Sequence, residues 1–185
     1  MSVNAPNDQL GWKAPNFNLK NIDNNLYTLN NLKGKNGTVI AFICNHCPYV
    51  IAIAERLSFE AKELKKLEIN IFTIMSNDPS QYLEDSFENM THFANKYNFD
   101  FPYLHDETQQ VAIEYGAVCT PDIFGFNRTL HLQYRGRLDS GVINSKEKNI
   151  NRELFNAMNK INSDGVGPLK QFNSFGCSIK WRKNE

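Results

Sequence analysis

Residues 38–44 read Thr-Val-Ile-Ala-Phe-Ile-Cys, an unbroken apolar and β-branched run. A strand covered on both faces has this composition, so the run points to the centre of a sheet with helices on each side. From Pro48 the period changes. Val50, Ile53, Ala54, Leu57, Ala61 and Leu64 recur at helical spacing, with Glu55, Glu60, Lys62, Glu63 and Lys65 filling the other face. Pro48 suits a first helical turn, where its missing N–H removes no intrahelical bond. The chain therefore passes from strand to helix across Cys44-Asn45-His46-Cys47.

The rest of the chain repeats this alternation. Phe17 and Leu19, then Leu26 and Leu29, flank Asp23-Asn24-Asn25 and predict an N-terminal β-hairpin. Residues 69–75 predict a second buried strand, Asn77–Ser80 break it, and Phe87, Met90, Phe93, Ala94 and Tyr97 predict a helix. Residues 101–106 predict a short strand, with Asp106 placed to cap a helix through Val111, Ala112 and Tyr115. Gly116 can end that helix in a left-handed cap. Residues 122–126 and 130–134 flank Asn127-Arg128-Thr129 as an antiparallel hairpin, and Leu154, Ala157, Met158 and Ile161 give a last helix. Residues 165–185 show no period and are expected to form an irregular tail. The order implies an α/β chain whose central mixed sheet has a parallel centre, an antiparallel edge and flanking helices. At 185 residues it fits one domain, with a core over about 11–162 and a tail over 163–185.

Composition excludes some partners. Lys plus Arg and Asp plus Glu each total 20, so a zero net charge gives no reason to expect nucleic acid or an anionic membrane. No apolar stretch is long enough to span a bilayer, and the first residues lack a basic segment followed by an apolar core. The expected compartment is the cytoplasm. The cysteines Cys44, Cys47, Cys119 and Cys177 are too scattered for a disulfide scaffold, and in such a chain a Cys-x-x-Cys pair is more often catalytic or metal-binding.

Chemistry in open α/β sheets gathers beyond the carboxyl ends of the central strands, where Cys44 lies. A cysteine there meets the unpaired N–H groups and positive end of the following helix, which favour thiolate over thiol. The sequence expectation is that Cys44, in the loop and nearer solvent, has the lowered pKa and attacks a disulfide. Cys47, inside the first turn, then resolves the mixed disulfide. His46 is expected to lower the pKa of Cys44 further.

Three segments carry a resemblance: Ala14–Leu19, the apolar strand entering Cys44–Val50, and Val118–Phe126. Together they resemble the thioredoxin superfamily, and within it the redoxin branch of alkyl hydroperoxide reductase and thiol-specific antioxidant proteins, over about residues 11–138. The tail around Phe175–Arg182 also looks similar to thioredoxin-like members of that branch. The resemblance implies a thioredoxin-like fold, a thiol–disulfide oxidoreductase without cofactor, and partners that are protein or small-molecule disulfides and a dithiol reductant. It further implies that Thr120-Pro121 is a cis bond beside the cysteines, with the Thr120 backbone turned out to pair with an extended substrate.

Departures from the family count as well. A peroxidatic cysteine has a proline seven and a Thr or Ser three residues before it. Counting from Cys44 gives Gly37 and Ala41, and from Cys47 gives Ile40 and Cys44. This weakens the alternative of a peroxiredoxin-like thiol peroxidase, although Arg128, Arg135 or Arg137 is available to supply a guanidinium. Thioredoxins proper place a buried carboxylate six residues before the first cysteine and a tryptophan just before it; here those positions are Thr38 and Ile43. Cys119 is expected as a small buried thiol or an additional redox thiol. Cys177 is expected to pack under Phe172, Phe175 and Trp181 or to act as a further redox thiol paired with Cys119. A second alternative, a non-catalytic copper or zinc carrier, would need His105 or His131 beside the cysteine pair; no metal is assigned.

Overall fold

The computed structural model describes residues 1–6, 10–80, 82–141, 143 and 150–183. The apolar run forms β4 (Gly37–Phe42), with every residue buried, and Pro48 opens α2 (Pro48–Lys65) at its first position. Around them follow β1 (Ser2–Asn4), β2 (Asn18–Asn21), β3 (Leu26–Thr28), α1 (Leu29–Leu32), β5 (Ile69–Met75), a 3-10 turn (Leu83–Asp85), α3 (Phe87–Lys96), β6 (Tyr103–His105) and α4 (Gln110–Tyr115). The chain continues through β7 (Cys119–Thr120), β8 (Asp122–Asn127), β9 (Leu132–Gly136), α5 (Glu153–Asp164) and β10 (Phe175–Ser178).

One sheet has the order β3-β2-β6-β5-β4-β8-β9. Its centre is parallel (β6, β5, β4), and both flanks are antiparallel. Alternation along β4 divides the core. Val39, Ala41 and Ile43 face a layer built with α2, α3 and α5, whereas Ile40 and Phe42 face Leu29 and Leu32 of α1 and Val111, Ala112 and Tyr115 of α4. Burying a side chain such as Leu57 or Leu64 of α2 contributes about 1.5–3 kcal/mol. This two-sided clamp fixes the direction in which the chain leaves β4. The predicted mixed α/β architecture is the one observed, N-terminal hairpin included.

Local signals behave as their chemistry requires. The Asp106 carboxylate accepts from the backbone N–H of Val111 (3.3 Å) and Ala112 (2.9 Å), and Gly116 closes α4 in the left-handed region at φ 65°. In the β8–β9 turn, Asn127 Oδ1 accepts from the N–H groups of Thr129 and His131.

The irregular tail needs correction. Phe175–Ser178 form β10, which pairs antiparallel with β1 on one side and β7 on the other, a second sheet of order β1-β10-β7. Beyond it, Lys180 N–H donates to Asn77 Oδ1 (2.9 Å) and Arg182 N–H to Gln109 Oε1 (2.8 Å). Residues 184 and 185 of the expected tail lie outside the described residues. No period marked β10 because its partners stand at the far end of the chain and at a two-residue strand. Its order comes from tertiary pairing alone.

Candidate active site

Cys44 leaves the carboxyl end of β4 and Cys47 is the N-cap of α2. The Thr120-Pro121 bond is cis, as the resemblance implied. It brings Thr120 against both sulfurs: Thr120 Oγ1 is 3.2 Å from Cys44 Sγ, and the Thr120 carbonyl oxygen is 3.1 Å from Cys47 Sγ. The two sulfurs are within hydrogen-bonding reach of each other.

The expected difference in exposure is absent, because both cysteines are fully buried at 0%. The surroundings act on the two thiols in opposite directions. Cys47 is held down, to about 5, by the proton it receives from Cys44, the Cys177 thiol and the N–H groups of Val50 and Cys177, which together outweigh its burial. Cys44 is pushed well up by donating to Cys47, by burial and by the negative charge of Asp85. The largest influence on Cys47 is its neighbour Cys44; its place at the start of α2 adds to it, while Cys44 stands one step back, nearer Asp85.

His46 does not act on Cys44 as expected. Its Nδ1 lies 2.6 Å from Oδ2 of Asp85, its ring stacks on Tyr82 at 4.1 Å between centroids and an interplanar angle of 1°, and the carboxylate beside it raises the Cys44 pKa. Asp85 is fully buried and saturated. It also accepts from Asn45 N–H (2.8 Å), His46 N–H (3.3 Å) and Asn77 Nδ2 (2.8 Å). Asn45 is braced in turn by the Tyr103 hydroxyl at 2.9 Å and by its own donation to Glu84 C=O at 2.7 Å. Asp85, Asn77, Tyr82 and Tyr103 carried no signal of the site in the sequence. The buried carboxylate missing at Thr38, whose hydroxyl accepts from Gly34 N–H, is supplied from the 3-10 turn instead.

Among the described residues, Cys44, His46 and Asp85 offer ligand atoms within 4.8 Å of one another and are the set that could hold a metal. An ion there would have to displace His46 from a carboxylate that already takes four donors, so the set fits a hydrogen-bonded network better than a ligand set. His131 sits by the β8–β9 turn, at the end of the sheet away from Cys44, and bonds Thr129. His105 packs against Phe87. Neither histidine joins the cysteine pair.

Of the three arginines, Arg135 pairs with buried Asp122 at 2.7 Å, Arg137 pairs with Glu153 at 2.6 Å, and Arg128 lies at the distant β8–β9 turn. Cys119 is buried, its thiol turned to Pro121 C=O at 3.5 Å, and burial with nearby Asp122 raises its pKa. The register sets Ser178, not Cys177, opposite Cys119. Cys177 is opposite Thr120 and packs against the layer that contains Cys44 and Cys47. Beside Pro121 a groove of about 390 Å³ runs between Tyr49, Ile53, Leu138 and Phe175.

A mixed sheet ending in a Cys-x-x-Cys pair at a helix start, faced by a cis-proline turn, defines a redoxin of the thioredoxin superfamily. The chain belongs to the AhpC/TSA family, whose pattern matches residues 10–139. It is similar over its whole length to an uncharacterized conserved protein from Geobacillus kaustophilus, with 40% identity, a TM-score of 0.94 and 98% of that chain covered. A hypothetical protein from Sinorhizobium meliloti 1021 aligns over 98% of this chain and 99% of its own, with 32% identity and a TM-score of 0.93. A secreted Mycobacterium tuberculosis disulfide oxidoreductase homologous to E. coli DsbE shares the fold at 16% identity and a TM-score of 0.55, over 80% of this chain and 92% of its own. No curated protein matches the chain. Among the described residues no helix is long and apolar enough to cross a membrane.

Proposed function

We propose that the chain is a thiol–disulfide oxidoreductase that cycles Cys44 and Cys47 between dithiol and disulfide. The observation that carries this reading is the Cys-x-x-Cys pair at the start of α2, with both sulfurs touching Thr120 beside the cis-proline. Such a pair has one ionised sulfur ready to attack and one thiol ready to close the disulfide behind it. The surroundings favour Cys47 as the ionised sulfur and Cys44 as the thiol that resolves, with Thr120 and Pro121 as the wall facing both. When Cys44 closes onto Cys47, its proton has a destination in the His46–Asp85 pair, which takes the place of the missing thioredoxin carboxylate.

This reading is favoured over a thiol peroxidase for a specific reason. Peroxide attack needs a hydroxyl and a guanidinium at the ionised sulfur, yet the Thr120 hydroxyl lies at Cys44 and the Arg135 and Arg137 guanidinium groups pair with Asp122 and Glu153. Reduction of a model protein disulfide by Cys44→Ser and Cys47→Ser variants tests the assignment. Cys47→Ser is expected to lose turnover outright, and Cys44→Ser, made together with Cys177→Ser, to accumulate a mixed disulfide on Cys47. Trapping on Cys44 instead would restore the sequence-derived roles, and full activity in both variants would remove the dithiol mechanism.

A further inference from the structure

Thr120 has its backbone edge turned toward the dithiol, the edge expected to pair with an incoming extended substrate. In this chain β10 already pairs there. Cys177 is the residue opposite Thr120, and the Thr120 carbonyl is 3.1 Å from Cys47 Sγ. The fit is close enough to dictate the preceding residue. A Cβ on Gly176 would stand 2.0 Å from the Thr120 carbonyl oxygen, so only glycine lets the strand come this near. Tyr49 of α2 braces the strand edge-on through Phe175, with ring centroids 5.1 Å apart, and Asn77 ties the segment after it to Asp85. Both active-site sulfurs are fully buried beneath this cover, whereas Cys177 is partly exposed.

We infer that β10 is a built-in substrate strand and that Cys177 is a third redox thiol, which relays the disulfide between the buried Cys44–Cys47 pair and partners at the surface. The inference rests on the dithiol reading above and extends it. In the oxidised protein the Cys177 thiolate attacks Cys47 Sγ. The Cys47–Cys177 bond forms, the Cys44–Cys47 bond breaks, and the electron pair leaves on Cys44, which takes up the proton Cys177 gave up. An external dithiol then attacks Cys177 Sγ and expels Cys47 as a thiolate into the N–H groups of Val50 and Cys177. The second thiol of that partner displaces Cys177 and closes the partner's own disulfide. Two electrons and two protons leave the partner; one proton restores the Cys177 thiol, replacing the one passed to Cys44, and the other passes to water because Cys47 rests ionised. Run backwards, the same exchanges carry a disulfide inward.

In the reduced protein burial raises the Cys177 pKa to about 11, helped by its donation to Cys47. That donation ends once Cys47 is locked in a disulfide, so Cys177 is freed to attack at the stage where the relay needs it.

The test begins with the Cys44→Ser protein, oxidised with diamide, digested without reduction and mapped by mass spectrometry. The expected product is an intramolecular Cys47–Cys177 disulfide, absent when Cys177→Ser is added. Sulfenic acid or intermolecular dimers in its place would overturn the relay. The second arm is stopped-flow reduction of the oxidised full-length protein by dithiothreitol. Cys177→Ser and Cys177→Ala, both checked for native circular dichroism, are expected to be slower by about tenfold or more, and Cys119→Ser to match the parent. Equal rates in all four proteins would overturn the relay while leaving the dithiol intact. If the Cys44–Cys47 disulfide fails to form even in the parent, it is the dithiol reading that fails.

Discussion

The two sides of the dithiol are built from opposite materials. Beside Cys44 stands the negative charge of buried Asp85, which raises its pKa, partly offset by the Thr120 hydroxyl. Beside Cys47 stand the N–H groups of Val50 and Cys177 and the Cys177 thiol, together with the Thr120 carbonyl oxygen at 3.1 Å. Neither sulfur is exposed, and burial pushes both thiols up. The difference teaches that, within one Cys-x-x-Cys turn, residues distant in sequence such as Asp85 and Cys177 add opposite influences to the two sulfurs.

The largest expected effect is on ionisation. Because Cys47 is depressed to about 5, the ultraviolet thiolate absorbance of the reduced protein should persist at neutral pH and vanish only as pH falls through about 5. A depressed acid stabilises the fold fully above its unfolded pKa, ~8.5 for a free thiol, and loses that contribution as pH falls toward 5. The parent should therefore lose thermal stability relative to Cys47→Ser over that interval. An absorbance step in the ordinary thiol range would erase the contrast between the two sides.

Asp85→Ala should come next, at about 3–5 kcal/mol in urea denaturation, because it strips the acceptor from four buried donors. It should also bring the Cys44 pKa down toward that of an ordinary thiol. Gly176→Ala attacks the other side. Overpacking against Thr120 should cost about 1–3 kcal/mol, and it should raise the Cys47 pKa by pushing the Cys177 donors away. An unchanged Cys47 titration in that variant would show that β10 does not hold the thiolate. Tyr82→Ala should be mildest, about 0.5–1.5 kcal/mol from the lost stacking on His46, with the Cys47 titration unaltered.

The parts of the molecule with a period were legible in the sequence. The buried run of β4, the apolar stripe of α2, the Asp106 cap and the Gly116 stop are each dictated by residues within a few positions of one another. Cys44, Cys47, Thr120 and Pro121 were legible as neighbours through the spacing of the superfamily pattern. Asp85 was not, since a carboxylate between Glu84 and Ser86 reads as an exposed turn until β6 and the β4–α2 loop close around it. The contact between Cys177 and Cys47 was equally hidden. It depends on a strand whose stability comes from Ser2–Asn4 and Cys119–Thr120 rather than from its own side chains. The roles proposed for the two thiols rest on these two features.

The pairing of residues 2–4 with 175–177 also sets a timetable. Strand β4 and helix α2 can form as soon as the first third of the chain is available, and the His46–Asp85 contact follows shortly after. The donors that ionise Cys47 arrive only when contacts of very long sequence separation close, and these are the slowest to form. A nascent or partly unfolded chain thus carries the cysteine pair with ordinary thiol chemistry. Completion of the fold is what arms it.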